Sequence, residues 1–379
     1  MTRLTRLIEQ SFRVAPGAEP EDALRSWSER RTLLVVAEDD AGNQGVGEAS
    51  PLPGYSPDTL DDAWDGLRRL LGQPLPDLLS GVSRSLSALG DTLSSPAARF
   101  GFDSALLDLW SRKRAEPARV LLASLAREMF GFAVVPEAPY QNPGCSVAAL
   151  LPSGAERALA HAHARAACGI DAFKVKIGAP CAWDEELRTL VELRKCFPNA
   201  RLRVDANQSL SPETLAERRP ALRSLELEWL EEPILDFRGV PQGLGVPLAL
   251  DESLQTNVPD AGLLSEHHVR AYVLKPTTLG GFLPSLELAE NARSAEIASV
   301  VSHAYEGPIG FAALAALALT LGPGRPSDGL DLHPGLAGET ALPAFDPARG
   351  RIRAWTEPGF GIPLDTLLER REITREARA

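Results

Sequence analysis

The ionisable residues of this sequence recur at the ends of short apolar segments. In "FKVKIG" two lysines alternate with apolar residues, and in a strand their ammonium groups point to the same side. The next three segments end in acids and the fourth ends in another lysine. In order, these residues are Lys174 and Lys176, Asp205, Glu231, Asp251 and Lys275.

Three carboxylates that converge at one place repel one another unless a positive charge lies between them. A hard divalent cation such as Mg²⁺ binds oxygen ligands and leaves positions for substrate oxygens. The lysines flank the acids on both sides and are candidate bases. A lysine base must be neutral, and a second ammonium two residues away lowers its pKa. We expect Lys174 to tune Lys176 in this way.

Structural interpretations compete with the functional one. A single carboxylate at a strand end is most often a helix N-cap or a solvated loop residue, and paired lysines are usually exposed. Five consecutive charged strand ends make these interpretations improbable for the whole set. Taken singly, Asn207 and His303 are best explained by structural roles, and we expect Asn207 to support the acids without binding metal.

The segments that carry these residues alternate with helix-like stretches from about Pro139 onward. Their spacing of roughly 20 to 30 residues suits the βα units of a parallel barrel, whose active sites lie at the C-terminal ends of the strands. No glycine-rich phosphate loop of a doubly wound sheet occurs. The strand candidates are "AFKVKIG", "RLRVDAN", "LEWLEEP", "PLALDES", "AYVLKPT", "ASVVSHA" and, more weakly, "GLDLHPG".

Composition narrows the possible partners and location of the chain. A net charge of −12 over 379 residues disfavours nucleic acid. The longest apolar stretch, 309–322, is shorter than a membrane span and predicts a buried helix. Neither a secretion signal nor a disulfide framework is evident, so we expect a cytoplasmic protein without a membrane partner. The oligomeric state cannot be read from the sequence.

The motifs "KVK", "VDAN", "EEP", "DES" and "LKP" resemble the enolase superfamily. Within its muconate lactonizing subgroup they are most similar to the o-succinylbenzoate synthase family, as are "GVGEASPLPGYSPDTLDDA" and "LKPTTLGG". The resemblance implies an α/β fold, a modified TIM barrel of (β/α)7β type with an α+β capping domain. We expect the capping domain at 1–135, joined by residues 340–379, and the barrel at 136–339.

The resemblance also implies roles for individual residues. Asp205, Glu231 and Asp251 would bind Mg²⁺, with Mn²⁺ as a substitute, while Lys176 would act as the base and Lys275 as a second essential lysine. The implied reaction is dehydration of 2-succinyl-6-hydroxy-2,4-cyclohexadiene-1-carboxylate to 2-succinylbenzoate through an enediolate, a step in menaquinone biosynthesis. The partner would thus be a small-molecule carboxylate.

The succinyl carboxylate of that substrate needs its own partner. Arg203 shares the inward face of Asp205 and is a candidate, although a structural salt bridge inside the barrel is about as plausible. Ser302 and the backbone near Gly307 are further candidates. His303, Ala304 and Gly307 stand where the family often has serines, so this loop departs from the family pattern.

Other functions remain open. N-acylamino acid racemases and dipeptide epimerases would use the same lysine pair as two bases, one on each face of the α-carbon. Dipeptide epimerases typically carry a DxD motif on the last strand, whereas "DGLDLHPG" has Asp331 without that motif. A barrel that binds a ligand without catalysis is a non-enzymatic alternative, but it would gain nothing from two opposed lysines.

Overall fold

The computed structural model describes residues 1–13, 29–75, 93–131, 144–179, 182–256, 258–333, 336, 345–346, 348–368 and 372–379. The domain boundaries expected at 135/136 and 339/340 lie outside these residues and stay predictions.

The described residues form short strands and longer helices. The strands, in chain order, are β1 Thr2–Arg13, β2 Glu29–Asp39, β3 Gln44–Ala49, β4 Pro74–Leu75, β5 Cys145–Ser146, β6 Ala149–Leu151, β7 Ala172–Lys176, β8 Arg201–Asp205, β9 Trp229–Glu231, β10 Leu248–Leu250, β11 Val269–Leu274, β12 Ala298–Val301, β13 Phe345–Asp346, β14 Arg351–Ile352 and β15 Glu372–Arg378. The helices are α1 Leu60–Arg68, α2 Pro96–Lys113, α3 Ala118–Phe130, α4 Ala155–Ala167, α5 Trp183–Cys196, α6 Pro212–Ser224, α7 Ala261–Glu266, α8 Pro276–Leu279, α9 Phe282–Ser294, α10 Pro308–Thr320 and α11 Leu364–Leu368.

An antiparallel sheet brings the two ends of the chain together. Its strand order is β15-β1-β2-β3, and β4 also pairs with β1. Helix α2 packs closely on β3 because Gly47 has no side chain: a Cβ there would lie 1.8 Å from the carbonyl oxygen of Gly101. This sheet and helices α1 to α3 form the α+β capping layer.

A parallel sheet of seven strands forms the second layer, in the order β12-β11-β10-β9-β8-β7-β6. Residues 328–329 close it into a barrel. Asp328 bridges Val147 beside β6, and Gly329 bridges Ser302 at the end of β12. The predicted (β/α)7β barrel is therefore confirmed, with its last strand reduced to this short closing segment.

The barrel strands separate two apolar regions. Phe173, Val175 and Ile177 are buried on the outside of β7, as their alternation predicts. Inside the barrel, a small cluster fills the space beneath the strand ends; it comprises Trp229, Ala249, Ala271, Val273 and Val300. Side chains that follow this cluster toward the C-terminal ends of the strands therefore face the barrel mouth.

Helix α10 confirms the prediction of a buried helix within 309–322. All of its residues, from Pro308 to Thr320, are buried, so the apolar run serves the core. Among the described residues, no helix has the length and apolar character needed to cross a membrane.

Candidate active site

Most of the predicted site residues line one cavity of about 570 Å³ at the C-terminal ends of the barrel strands. It is bounded by β7, β8, β9 and β11 on one side and by the loop after β12 on the other. Leu52 and Tyr55 reach it from the capping layer. The predicted site residues that line it are Lys174, Lys176, Arg203, Asp205, Glu231, Lys275 and Ser302. Asp251, Asn207 and Gly307 are not part of its lining, whereas His303, for which a structural role was expected, is.

Neighbouring strands bring the lysines and acids into direct contact. The Lys174 ammonium lies 2.8 Å from Asp205 Oδ2 and 2.6 Å from Glu231 Oε1. Lys176 pairs in register with Asp205 across β7 and β8. On the other side, Lys275 donates a hydrogen bond to Asp251. Glu231 and Asp251 therefore face inward, toward the lysines, a choice that the sequence alone did not fix.

The acids that follow them in the chain, Glu232 and Glu252, have other partners. The Glu232 carboxylate accepts hydrogen bonds of 2.8 Å from the amides of Asp251 and Ser253. Asn207 donates from its amide side chain to Glu252 at 3.1 Å, and its backbone amide lies 3.0 Å from Asp205 Oδ1. Asn207 therefore orients Asp205, in keeping with the supporting role expected of it.

Burial and charge shift the pKa values of Asp205 and Glu231 in opposite directions. Burial raises the pKa of Asp205, but the surrounding lysines outweigh it and hold that pKa below its usual value. Burial and repulsion by Asp205 and Asp251 raise the pKa of Glu231 to about 8 despite the Lys174 ammonium. The ammonium groups of Lys174 and Lys275 therefore do not fully offset the repulsion that Glu231 experiences from Asp205 and Asp251.

Lys174 and Lys275 keep their protons for the same electrostatic reason. Burial lowers the pKa of Lys174, but Asp205 and Glu231 outweigh it and raise that pKa overall. Asp251 similarly raises the pKa of Lys275 against the effect of burial. A charged Lys174 beside Lys176 suits the tuning role expected from the sequence.

The donor set suits a divalent cation, although the acids are turned toward lysines. Within the described part of the chain, no three acidic, imidazole or thiol side chains are grouped closely enough to hold a metal ion by themselves. The acids nevertheless supply only oxygen donors, which Mg²⁺ prefers. The unrelieved repulsion at Glu231 is what a further positive charge would remove, so the three acids fit the metal.

Arg203 forms a salt bridge inside the barrel, the alternative left open by the sequence. Its Nε donates to Glu228 Oε2 at 2.6 Å, and its Nη1 donates to the Ser327 carbonyl at 2.7 Å. The guanidinium also lies 3.9 Å from the centre of the Trp229 ring. A contact between Arg203 and substrate stays a prediction.

The other predicted substrate contacts have partners as well. The Ser302 hydroxyl lies 3.4 Å from the Gly329 carbonyl. The Gly307 amide donates to Glu48 Oε1 at 2.5 Å, and Glu48 Oε2 accepts from Gly310 at 2.9 Å. The start of α10 is thus capped by a capping-layer carboxylate, and substrate binding at Gly307 stays a prediction.

Several cavity residues were missed by the sequence analysis. Tyr55 donates to both oxygens of Asp251 at 2.9 Å and accepts from Lys275 at 2.7 Å. Arg165 forms an ion pair with Asp331 in the cavity wall. The only available signal for Tyr55 was an aromatic residue inside a Pro/Gly loop, which does not reveal where the loop folds.

His303 belongs to an aromatic wall opposite the acids. Its ring centre lies 5.1 Å from that of Tyr305 and 5.0 Å from that of His333. Burial, His333 and the nearby lysines lower the pKa of His303 well below its usual value. This side of the cavity is therefore uncharged at His303 and partly aromatic.

Comparison with known proteins gives one family model and a set of related enzymes. The model described as enolase C-terminal domain-like matches residues 157–368. The chain is 28% identical over 343 residues to an o-succinylbenzoate synthase of Shigella sonnei, covering 88% of this chain and 89% of the relative. It is also 28% identical over 311 residues to an N-succinylamino acid racemase of Thermus thermophilus, covering 79% and 78%.

A solved structure shows the same fold. The dipeptide epimerase from Methylococcus capsulatus, complexed with Mg and the dipeptide L-Arg-D-Lys, superposes with a TM-score of 0.76. The match covers 95% of this chain and 99% of the epimerase, at 24% sequence identity.

Proposed function

The chain belongs to the enolase superfamily, and from this premise we propose that it is an o-succinylbenzoate synthase. It would act in the cytoplasm in menaquinone biosynthesis, dehydrating 2-succinyl-6-hydroxy-2,4-cyclohexadiene-1-carboxylate to 2-succinylbenzoate. The synthase of Shigella sonnei, similar along 88% of this chain, supports this choice.

The observation that carries the proposal is the placement of the lysines on either side of the acids. Lys174 and Lys176 extend from β7 and Lys275 follows β11, while Asp205, Glu231 and Asp251 come from the strands between them. A substrate held over the acids therefore meets Lys176 on one side and Lys275 on the other. This is the arrangement needed to remove a proton from one face of a carbon atom and to stabilise charge from the other.

In the proposed reaction, Lys176 removes the proton α to the ring carboxylate. The neighbouring Lys174 ammonium disfavours a second positive charge and so helps Lys176 to be neutral. When Mg²⁺ is bound by Asp205, Glu231 and Asp251, it supplies Lewis-acid stabilisation of the substrate carboxylate. Lys275 remains protonated and stabilises negative charge on the opposite side.

Loss of the hydroxyl completes the elimination. The ring electrons of the enediolate expel the hydroxyl, which takes the proton from Lys176 and leaves as water, so Lys176 is neutral again. The ring becomes aromatic, which makes the step downhill. Tyr55 and His303, which both line the cavity, would limit the access of water during the reaction.

N-succinylamino acid racemisation is the second candidate. The relative from Thermus thermophilus has the same sequence identity as the synthase, 28%, and the opposed lysines would suit two bases. The synthase covers more of this chain, 88% against 79% for the racemase, which favours the synthase. Dipeptide epimerisation is less well supported, since Arg165 already neutralises Asp331 in the cavity wall.

A panel of three substrates tests the proposal. The purified protein with Mg²⁺ is incubated separately with the cyclohexadiene substrate, with N-succinyl amino acids and with dipeptides, and Lys176→Ala protein prepared in parallel reports contaminating activity. We expect formation of 2-succinylbenzoate that the variant does not show. Turnover of only the amino acid or dipeptide substrates would refute the synthase assignment, and turnover of none would favour a binding protein.

A further inference from the structure

A buried arginine, Arg30, connects two loops that meet at the cavity and both line it. Arg30 lies on β2 of the capping layer and is only 1% exposed. Its Nη1 donates to the Pro51 carbonyl at 3.2 Å and its Nη2 to the Ser50 carbonyl at 3.1 Å. These carbonyls precede Leu52 and Tyr55, the capping-layer residues that line the cavity.

The same guanidinium reaches the barrel. Its Nε donates to the Tyr305 carbonyl at 3.3 Å, and its Nη2 lies 3.5 Å from the Ala304 carbonyl. Ala304 and Tyr305 belong to the loop after β12 that carries His303. The planar guanidinium has five donors in a fixed arrangement, so it can bind carbonyls of both loops at once.

The two loops also pack against each other in front of the arginine. Leu52 forms an apolar cluster with Ala304 and Tyr305, and Tyr55 packs against this cluster. The contact is therefore a small interface between the capping layer and the barrel, with its polar backbone groups bound by Arg30.

Two buried carboxylates balance the charge of Arg30. Glu48 and Glu306 are fully buried, and both attract the guanidinium. Glu48 binds the amide of Gly307, whereas Glu306 accepts hydrogen bonds of 2.6 Å from Thr277 and from the Ala304 amide. Each carboxylate thus holds one end of the segment 304–307 that Arg30 binds in the middle.

We propose that Arg30 is a positioning residue for the active site, which fixes the spacing between the loop of Tyr55 and the loop of His303. It contacts neither the lysines nor the three inward-facing acids, so it acts through the two walls that enclose the substrate. The inference requires that this cavity is the catalytic site, but not that the reaction is the proposed dehydration.

Arg30→Lys tests the role while keeping the positive charge. A lysine ammonium has three donors on one nitrogen and cannot bind carbonyls of both loops in the same geometry. Because small displacements of binding groups can cost about 100-fold in catalysis, we expect a loss of roughly this size in kcat/KM, mostly through a higher KM. The assay uses whichever panel substrate the wild-type protein converts.

The matched control is Arg119→Lys. Arg119 is another buried arginine, 3% exposed, which donates to the Trp355 carbonyl at 3.2 Å and does not line the cavity. Its replacement should lower stability while KM stays unchanged. An equal rise in KM for both variants, or a loss of kcat at constant KM in Arg30→Lys, would overturn the proposal.

Hydrogen exchange provides a readout independent of activity. In Arg30→Lys, amide exchange should rise together in residues 50–56 and 302–307, whereas Arg119→Lys should leave both segments protected. A rise in only one segment, or in neither, would contradict the proposal even if no panel substrate is converted.

The wild-type protein gives a second test in case Arg30→Lys does not fold. Amides in the two segments, such as those of Tyr55 and His303, are hydrogen-bonded at 3.0 and 3.2 Å to carbonyls of their own layers. If Arg30 couples the segments, their opening free energies should decrease in parallel as denaturant is added. Separate opening reactions with different denaturant dependence would refute the coupling.

Discussion

Glu231 shows how neighbouring charges set the pKa of a single residue in the site. Its carboxylate lies between Asp205, Asp251 and the Lys174 ammonium, and its pKa is raised to about 8 because burial and repulsion outweigh the attraction. The folded, metal-free protein therefore holds a proton at Glu231 more tightly than the unfolded chain, whose glutamates have a pKa near 4.5. Protonation and metal binding compete for this side chain.

This raised pKa predicts how stability depends on pH. The stabilisation from protonated Glu231 is fully present below about pH 4.5 and is lost as the pH rises toward 8, by about 1.4 kcal/mol for each pH unit between these two pKa values. Glu231→Gln removes this titration, so without metal its stability relative to wild type should increase from pH 5 to 8. Urea unfolding in the presence of a chelator measures the difference.

Glu192→Gln is the control for that experiment. Glu192 lies on the exposed side of α5 and pairs with Lys195, so its replacement should shift the free energy of unfolding equally at each pH. Parallel pH curves for wild type and Glu231→Gln would show that the acids do not repel one another as the structure indicates.

The short segment 328–329, which closes the barrel, is held in place largely by one side chain. Asp328 is 1% exposed; its Oδ1 accepts from the Val301 amide at 2.8 Å, and its Oδ2 lies 3.0 Å from Arg325 Nη2. The Asp328 side chain therefore binds the closing segment both to β12 and to Arg325, three residues earlier in the chain. Hydrogen bonds from two neighbouring strands hold the segment, despite its short length.

We predict that Asp328→Ala lowers the free energy of unfolding by about 3 kcal/mol, because it leaves the Arg325 charge buried without its partner. Equilibrium denaturation measures the loss. Asp171→Ala removes an exposed acid bound to Arg201 and should change stability by no more than about 0.5 kcal/mol. Comparable losses for the two variants would mean that the closing segment contributes little.

The sequence predicted the parts of the barrel that follow a strict local period. In "FKVKIG" and "LEWLEEP" the alternation of side chains places Lys174 and Lys176 on one face and separates Glu231 from Glu232, but it does not say which face is inward. The structure shows that Lys174, Lys176 and Glu231 face the cavity. Strand β6 was missed because its three residues, Ala149–Leu151, carry neither β-branched residues nor a charged end. Its identity as a strand depends on pairing with β7, which a local pattern does not contain.

Long-range contacts account for the rest of what the sequence did not reveal. Strands β1 and β15 pair Arg6 with Arg378, at opposite ends of the chain. Arg30 stands between Glu29 and Arg31 at the charged start of β2, so no local pattern marks it as buried. The partners of Arg30 and Glu48, at Ala304 and Gly307, lie more than 250 residues away in the sequence. Only the packed molecule shows that these charges meet beside the cavity.

At the scale of the whole molecule, metal binding should stabilise the fold, because the three acids come from three strands that separate on unfolding. A ligand present at 100 times its dissociation constant adds about 2.7 kcal/mol. Thermal unfolding with increasing MgCl₂, against NaCl of equal ionic strength, measures the effect.

We expect a rise in melting temperature that a chelator reverses and that Asp205→Ala abolishes, with Glu192→Gln behaving as wild type. A rise that persists in Asp205→Ala would place the metal elsewhere.

The central claim is that Lys176 moves the proton in the cavity between the capping layer and the barrel. The most direct test is kcat of Lys176→Ala for dehydration of the cyclohexadiene substrate, followed by the appearance of 2-succinylbenzoate. Because a positioned general base contributes about 100- to 10,000-fold, we predict a fall within this range or beyond it. Lys195→Ala, which removes an exposed lysine on α5, should keep wild-type activity. Full activity in Lys176→Ala would contradict the account.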